Sequence, residues 1–146
     1  MAGFKFRMES FLGVKEKIEE QKKLDYGKAL KKLDEERNTL KRFVEKKTNV
    51  ILAMRNSINS GIKSTELRRY NEYIYYIKNR IEEQETVVQN AELFAETKRI
   101  ELVEAMKERK MLDVIKENDK AEYNKEQLLK EQKIVDEIVS YQYNDA

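Results

Sequence analysis

The 146-residue chain has no cysteine, no histidine, no proline and no tryptophan, and only four glycines. Each absence removes a class of explanation. Without cysteine there is no disulfide framework and no thiolate metal site, and nothing marks a redox compartment. Without histidine the commonest metal ligand and the usual general base near neutral pH are both missing. Without proline, no helix is obliged to kink or stop for want of an N–H. No apolar run approaches the ~20 residues that span a bilayer. The opening MAGFKFRMESFLG carries basic residues but lacks the apolar core of a secretory signal. A cytoplasmic protein with no direct membrane insertion is expected.

What the chain does have is charge. Lys, Arg, Asp and Glu make up 40% of it, yet 30 basic and 28 acidic residues leave a net charge of only +2. The two signs interleave, which argues against the concentrated basic face that nucleic acid requires. Pairs such as Lys22-Lys23, Lys31-Lys32 and Arg68-Arg69 read as solvated helix faces. So few positions are free of charge that a thick core is excluded. Such a composition gives either disorder or long helices, and periodicity decides between them.

The periodicity is helical. Tyr26, Leu30, Leu33, Arg37, Leu40, Val44, Lys47, Ile51, Met54 and Ile58 step by fours and threes, and all but two are apolar. Phe11, Val14 and Ile18 extend this stripe less regularly. A second series runs through Leu67, Tyr70, Ile74, Ile77, Ile81, Gln84, Val88, Ala91 and Ala95. Beyond it, Leu102, Val103, Met106 and Leu112 keep an apolar face whose register drifts, as a straight helix does when no seven-residue repeat is imposed.

Between the two series lies NSINSGIKSTE, residues 56–66, the one dense cluster of Gly, Asn and Ser. Gly61 suits a left-handed turn after a helix end, and Ser64 or Thr65 suits the cap of the next helix, with Glu66 in its first turn. A short connection makes the two helices antiparallel neighbours. The expected fold is all-α: a single domain, 1–146, of two long helices (about 9–57 and 65–143) in an antiparallel coiled-coil hairpin. Its turn lies near 56–65, and its C-terminal helix overhangs.

The off-centre turn lets helix one pair back only to about residue 112. Arg37 falls opposite Gln84 in this register, a polar layer that fixes alignment. About 30 residues then overhang, with a thin seam of Val114, Asn118, Ala121, Lys125, Leu128, Gln132, Val135 and Val139. That stretch reads either as a frayed tail or as a marginal helix that orders in a partner's cavity.

No catalytic, cofactor or metal motif is present, so no enzyme and no cofactor are expected. Paired carboxylates such as Glu19-Glu20, Glu35-Glu36 and Glu82-Glu83 lie on helices with no cleft to shift their pKa. The tyrosines Tyr70, Tyr73, Tyr75 and Tyr76 are more than a hairpin needs, and aromatic residues are enriched at binding hot spots. They predict an interaction surface near the tip, built from Phe43, Val50, Tyr73 and Ile77.

The two ends of the chain carry a resemblance. FKFRMESFLGVKEKIEEQKKLDYGKAL and RIELVEAMKERKMLDVIKENDKAEYNKEQLLKEQKIVDEIVSYQY, with NSGIKS between them, resemble the FliJ family of flagellar export proteins. The combination of a short aromatic-basic start, an off-centre turn and an ending like Glu131-Gln132-Lys133…Asp136-Glu137 carries it. The resemblance implies a non-catalytic component of type III protein export in flagellum biogenesis and motility. It implies a cytoplasmic place, peripheral to the inner face of the cell membrane.

Such proteins resemble the central stalk of rotary ATPases. Their joined chain ends insert in the pore of the hexameric export ATPase (FliI), their tip side meets the cytoplasmic domain of the export gate protein FlhA, and they handle export chaperones. Carried over residue by residue, the gate positions are Thr39, Phe43, Lys46, Val50, Tyr73, Ile77, Arg80 and Gln84. Val50 lacks the family's ring, and Lys46 and Arg80 differ from it in character. The pore contacts implied are Val114, Ala121, Leu128, Gln132, Val135 and Val139. An export chaperone, holdase or chaperone escort, and a self-associating structural coiled coil, are the alternative readings.

Overall fold

The computed structural model describes residues 3–145, with Asp145 described by its backbone alone. Two helices account for nearly all of them: α1, Glu9–Asn59, and α2, Ser64–Asp145. No strand occurs among the described residues. The chain divides into two compact units, Lys22–Leu102 and Met1–Gln21 with Val103–Ala146. Within each unit, segments of α1 and α2 run antiparallel, so the fold is the antiparallel helical hairpin that the periodicity predicts.

In the unit Lys22–Leu102, α1 ends as predicted at the glycine. The Ser60 N–H donates to the Asn56 carbonyl and the Gly61 N–H to that of Ile58, each at 3.2 Å. Gly61 takes φ 84°, the left-handed region that a Cβ would strain. The Lys63 carbonyl then accepts the N–H groups of both Glu66 and Leu67 at 3.1 Å. The cap of α2 is therefore Lys63. Ser64 and Thr65, expected as caps, fall inside the first turn because the chain re-enters the helix a residue sooner than expected.

The buried line of α2 follows the predicted series from Leu67 to Ala95. The line of α1 differs in a systematic way. It runs through Tyr26, Ala29, Leu33, Glu36, Leu40, Phe43, Lys47, Val50, Met54 and Ser57. Leu30, Arg37, Val44 and Ile58 give way to their N-terminal neighbours and lie exposed beside the seam, while the predicted Ile51 stays half-buried together with Val50. Two heptad-spaced lines one residue apart are both partly apolar here. Ranking by hydrophobicity picks the bulkier Leu30 and Ile58 over Ala29 and Ser57, although at Phe43 over Val44 the larger side chain is the one packed. Ala29, Leu33, Val88 and Ala95 form the buried cluster, with Leu40 and Ala91 against it.

The same shift corrects the polar layer. Gln84, 9% exposed, donates through Nε2 to both the backbone carbonyl and the carboxylate of Glu36. Arg37 is turned to the flank, where its guanidinium pairs with Glu92 at 3.1 Å.

Beyond Ala95 the seven-residue spacing of α2 does not drift. It continues through Lys98, Leu102, Ala105, Arg109, Leu112, Lys116 and Tyr123, all buried or half-buried. What lapses is apolarity, because three of these positions are cationic. Each has an acidic partner: Lys98 meets Glu101, Arg109 meets Glu19, and Lys116 meets Glu9. In the second unit Glu19, only 5% exposed, receives the Nε and Nη2 groups of Arg109, whose Nη1 donates to Asp113. Lys15 pairs with Glu108 at 2.8 Å beside them.

This second unit also holds the residues ahead of α1. Phe4, Phe6 and Met8 alternate on one side of a non-helical segment. Phe6 packs with Leu12 and Leu112, and the Phe4 ring lies tilted on Tyr123 with centroids 5.6 Å apart. Cover of α2 therefore reaches Tyr123 and not the predicted limit near residue 112. A non-helical residue advances up to ~3.3 Å against ~1.5 Å in a helix, so a few of them cover two helical turns. The overhang is correspondingly shorter. From Leu128 to Asn144 α2 remains helical with every side chain exposed.

Candidate interaction surfaces

The tip-side positions named from the sequence separate into surface and seam. Ile77 is 2% exposed and, like Gln84, is a seam residue. Phe43 is half-buried between two cations: Lys46 Nζ lies 6.0 Å and Arg80 Cζ 5.5 Å from its ring centroid. Arg80 also meets Glu83 at 3.4 Å. The Thr39 hydroxyl donates to the Glu35 carbonyl at 3.0 Å and accepts from Arg42 at 3.1 Å. These contacts hold Thr39 to its own helix.

Val50 and Tyr73 come together in an open groove of about 450 Å³, lined also by Glu66, Arg69 and Tyr70. Tyr70 is held in place by its seam position and by a 3.2 Å hydrogen bond between its hydroxyl and that of Ser57. The Tyr73 and Tyr76 rings stand tilted with centroids 6.2 Å apart, and Tyr75, 69% exposed, lies outside the groove. Of the residues lining this groove, Val50 and Tyr73 were named from the sequence as surface candidates, whereas Glu66 and Arg69 were not. Their signal was weak, since a charge in the first turns of a helix reads as ordinary capping chemistry.

The C-terminal positions share one face. Val114, Ala121, Leu128 and Val135 recur at intervals of seven, and they, Gln132 and Val139 are all exposed. Val114 lies two residues from the buried Leu112, roughly 200° around the helix at ~3.6 residues per turn. This apolar line is therefore on the far side of α2 from the hairpin seam and does not continue it, contrary to the expected single thin seam. Its first two members lie beside the stretch covered by the N-terminal segment.

Apart from the buried Glu19 and its partner Arg109, electrostatics in both units is that of largely solvated ion pairs. A hydrogen bond from Gln84, and then one from Lys32, holds the Glu36 carboxyl below its usual range. Lys22 and, less strongly, Lys98 do the same for Glu101, and Arg99 does so for Glu96. Glu19 and then Asp113 raise the Arg109 guanidinium further above its already high value. Among the described residues no group of acidic side chains is arranged to hold a metal ion, and no helix is long and apolar enough to cross a membrane. The arrangement presents open helix faces and a shallow groove to solvent.

The family model described as "Flagellar FliJ protein" matches residues 4–146. A comparison with curated proteins finds no match. Among solved structures, the Chlamydia trachomatis protein CT670, described as a YscO homolog, is similar, with a TM-score of 0.59 and 20% identity over 97% of this chain and 96% of that one. At that identity the likeness is one of fold.

Proposed function

The chain belongs to the flagellar FliJ family, which is associated with type III protein export, and from that premise we propose that it is the non-catalytic central stalk of the hexameric export ATPase (FliI). The observation that carries this reading is the end of α2. From Leu128 to Asn144 a formed helix presents every side chain to solvent, with apolar Leu128, Val135 and Val139 among the charges. A helix that no described residue of its own chain covers is suited to a cavity supplied by another protein. Six ring subunits around one helix cannot all make the same contact. A mixed surface of apolar and charged side chains suits weak, interchangeable contacts at Val114, Ala121, Leu128, Gln132, Val135 and Val139.

The tip side then meets the cytoplasmic domain of the export gate (FlhA). Phe43, Val50 and Tyr73 contribute the contact surface, with Thr39, Lys46 and Arg80 around it, while Ile77 and Gln84 support it from the seam. The protein acts by coupling ring to gate and by handling export chaperones, at the cytoplasmic periphery of the export apparatus. The test is ATP hydrolysis by the purified export ATPase with and without this protein. Full-length chain is expected to stimulate turnover. A chain ending after Tyr123, which keeps the Phe4 contact and the hairpin, is expected to lose that stimulation. Equal stimulation by both would reject the stalk assignment.

A further inference from the structure

The near-zero net charge conceals a strongly biased segment. Residues 41–80, which form the tip half of the hairpin, contain ten Lys or Arg and only three Asp or Glu, a net +7. The remainder of the chain is then net −5, which restores the total of +2. The bias is also little neutralised by direct pairing, although Glu82 and Glu85 lie in the same surface hollow as Lys47 and Lys78. Nine of the ten cations form no ion pair among the described residues, and the tenth, Arg80, has only its helical neighbour Glu83. The other ion pairs involve cations outside this segment. A helical surface that needed only solubility would mix signs, as the rest of α1 and α2 does. Seven net positive charges around exposed tyrosines instead repel one another until an anionic surface arrives.

From this we propose that the tip docks onto an acidic protein surface that inserts an apolar side chain into the groove between Val50 and Tyr73. The inference deepens the gate-docking reading and rests on it. The groove decides for a protein over an anionic membrane. It is a concave site of about 450 Å³ with Val50, Tyr70 and Tyr73 as walls and Arg69 at its edge. Such a site fits one protruding side chain flanked by carboxylates, whereas a lipid surface offers a flat sheet of headgroups. Glu66, also at the edge, disfavours phosphate there and tolerates a neutral apolar insert. Charge gathers the partner over a distance, and the groove fixes it once it has arrived.

Binding of the full-length protein to the purified cytoplasmic domain of the export gate, followed at low and high salt, tests this. The variant R55Q/K63Q/R68Q/R69Q removes charge from exposed positions, and Tyr73→Ala opens the groove; circular dichroism checks that both keep their helices. The wild type is expected to lose ~10-fold or more in affinity from low to high salt, mainly in its on-rate. The charge variant should bind ~10-fold more weakly at low salt and depend little on salt. Tyr73→Ala should weaken binding at both salts and keep the wild-type slope. Salt-independent binding that the charge variant matches would overturn the inference and leave the gate reading standing. No wild-type binding at either salt would remove both. Vesicles of phosphatidylserine and phosphatidylcholine run in parallel: if the four charges govern binding to them and not to the gate domain, a membrane takes the place of the acidic protein.

Discussion

Two glycines illustrate how single residues act in this hairpin. Gly61 is left-handed and a Cβ there would meet no atom, so its replacement is penalised by backbone strain alone. Gly61→Ala is expected to cost ~1–2 kcal/mol in denaturant unfolding. Gly27 lies inside α1 with open space around it. Gly27→Ala is expected to gain ~0.5–1 kcal/mol, because alanine loses less chain entropy in a helix. The titrating residues give a second expectation. Glu36, Glu96 and Glu101 have carboxyls held below 4.5 when folded. Their contribution is complete above about pH 4.5, the unfolded value, and is lost as pH falls through the lower folded values. With no histidine in the chain, the melting temperature should stay nearly level from pH 8 to about pH 5 and decline below that. A fall centred near pH 6 would contradict this.

At the scale of the helix pair, the charged seam of the N-terminal unit sets alignment more than strength. Burying Glu19 against Arg109 takes solvation from both, and a pair of that kind offers specificity with little net stability. Glu19→Leu alone should lower the melting temperature, because it strips Arg109 of its main partner. The double variant E19L/R109L should recover most or all of the loss while admitting alternative registers, read as mixed disulfides between cysteines introduced at neighbouring seam positions.

The same seam explains what could be read beforehand. The hairpin, the turn at Gly61 and the line of α2 to Ala95 were legible because apolar side chains mark them. The α1 line was misread at several positions, since Ala29, Glu36 and Ser57 carry little hydrophobic signal and are selected by close packing and hydrogen bonding. Past Ala95 the repeat was present but written in Lys98, Arg109 and Lys116, whose value depends on partners distant in sequence. The Phe4–Tyr123 contact was invisible for a similar reason, as nothing local says which ring a terminal phenylalanine will meet. Of the residues lining the groove near the tip, Val50, Tyr70 and Tyr73 stood out in the sequence as apolar or aromatic, and Arg69 and Glu66 did not.

At the scale of the molecule, α1 and α2 each run without a break through both compact units. Two units that share uninterrupted helices cannot melt apart without ending a helix in mid-run. We therefore propose that the chain behaves as a single domain. Thermal unfolding followed by far-ultraviolet circular dichroism and by tyrosine fluorescence should give one coincident transition. Two separated transitions would show that the units are thermodynamic domains. The uncovered end of α2 also divides evolutionary constraint. Between Leu128 and Asn144 no side chain is buried among the described residues, so a systematic substitution scan there measures demand from outside the chain. Apart from helix breakers, any site in those seventeen residues that refuses change would map the footprint of whatever grips it, with no correction for misfolding.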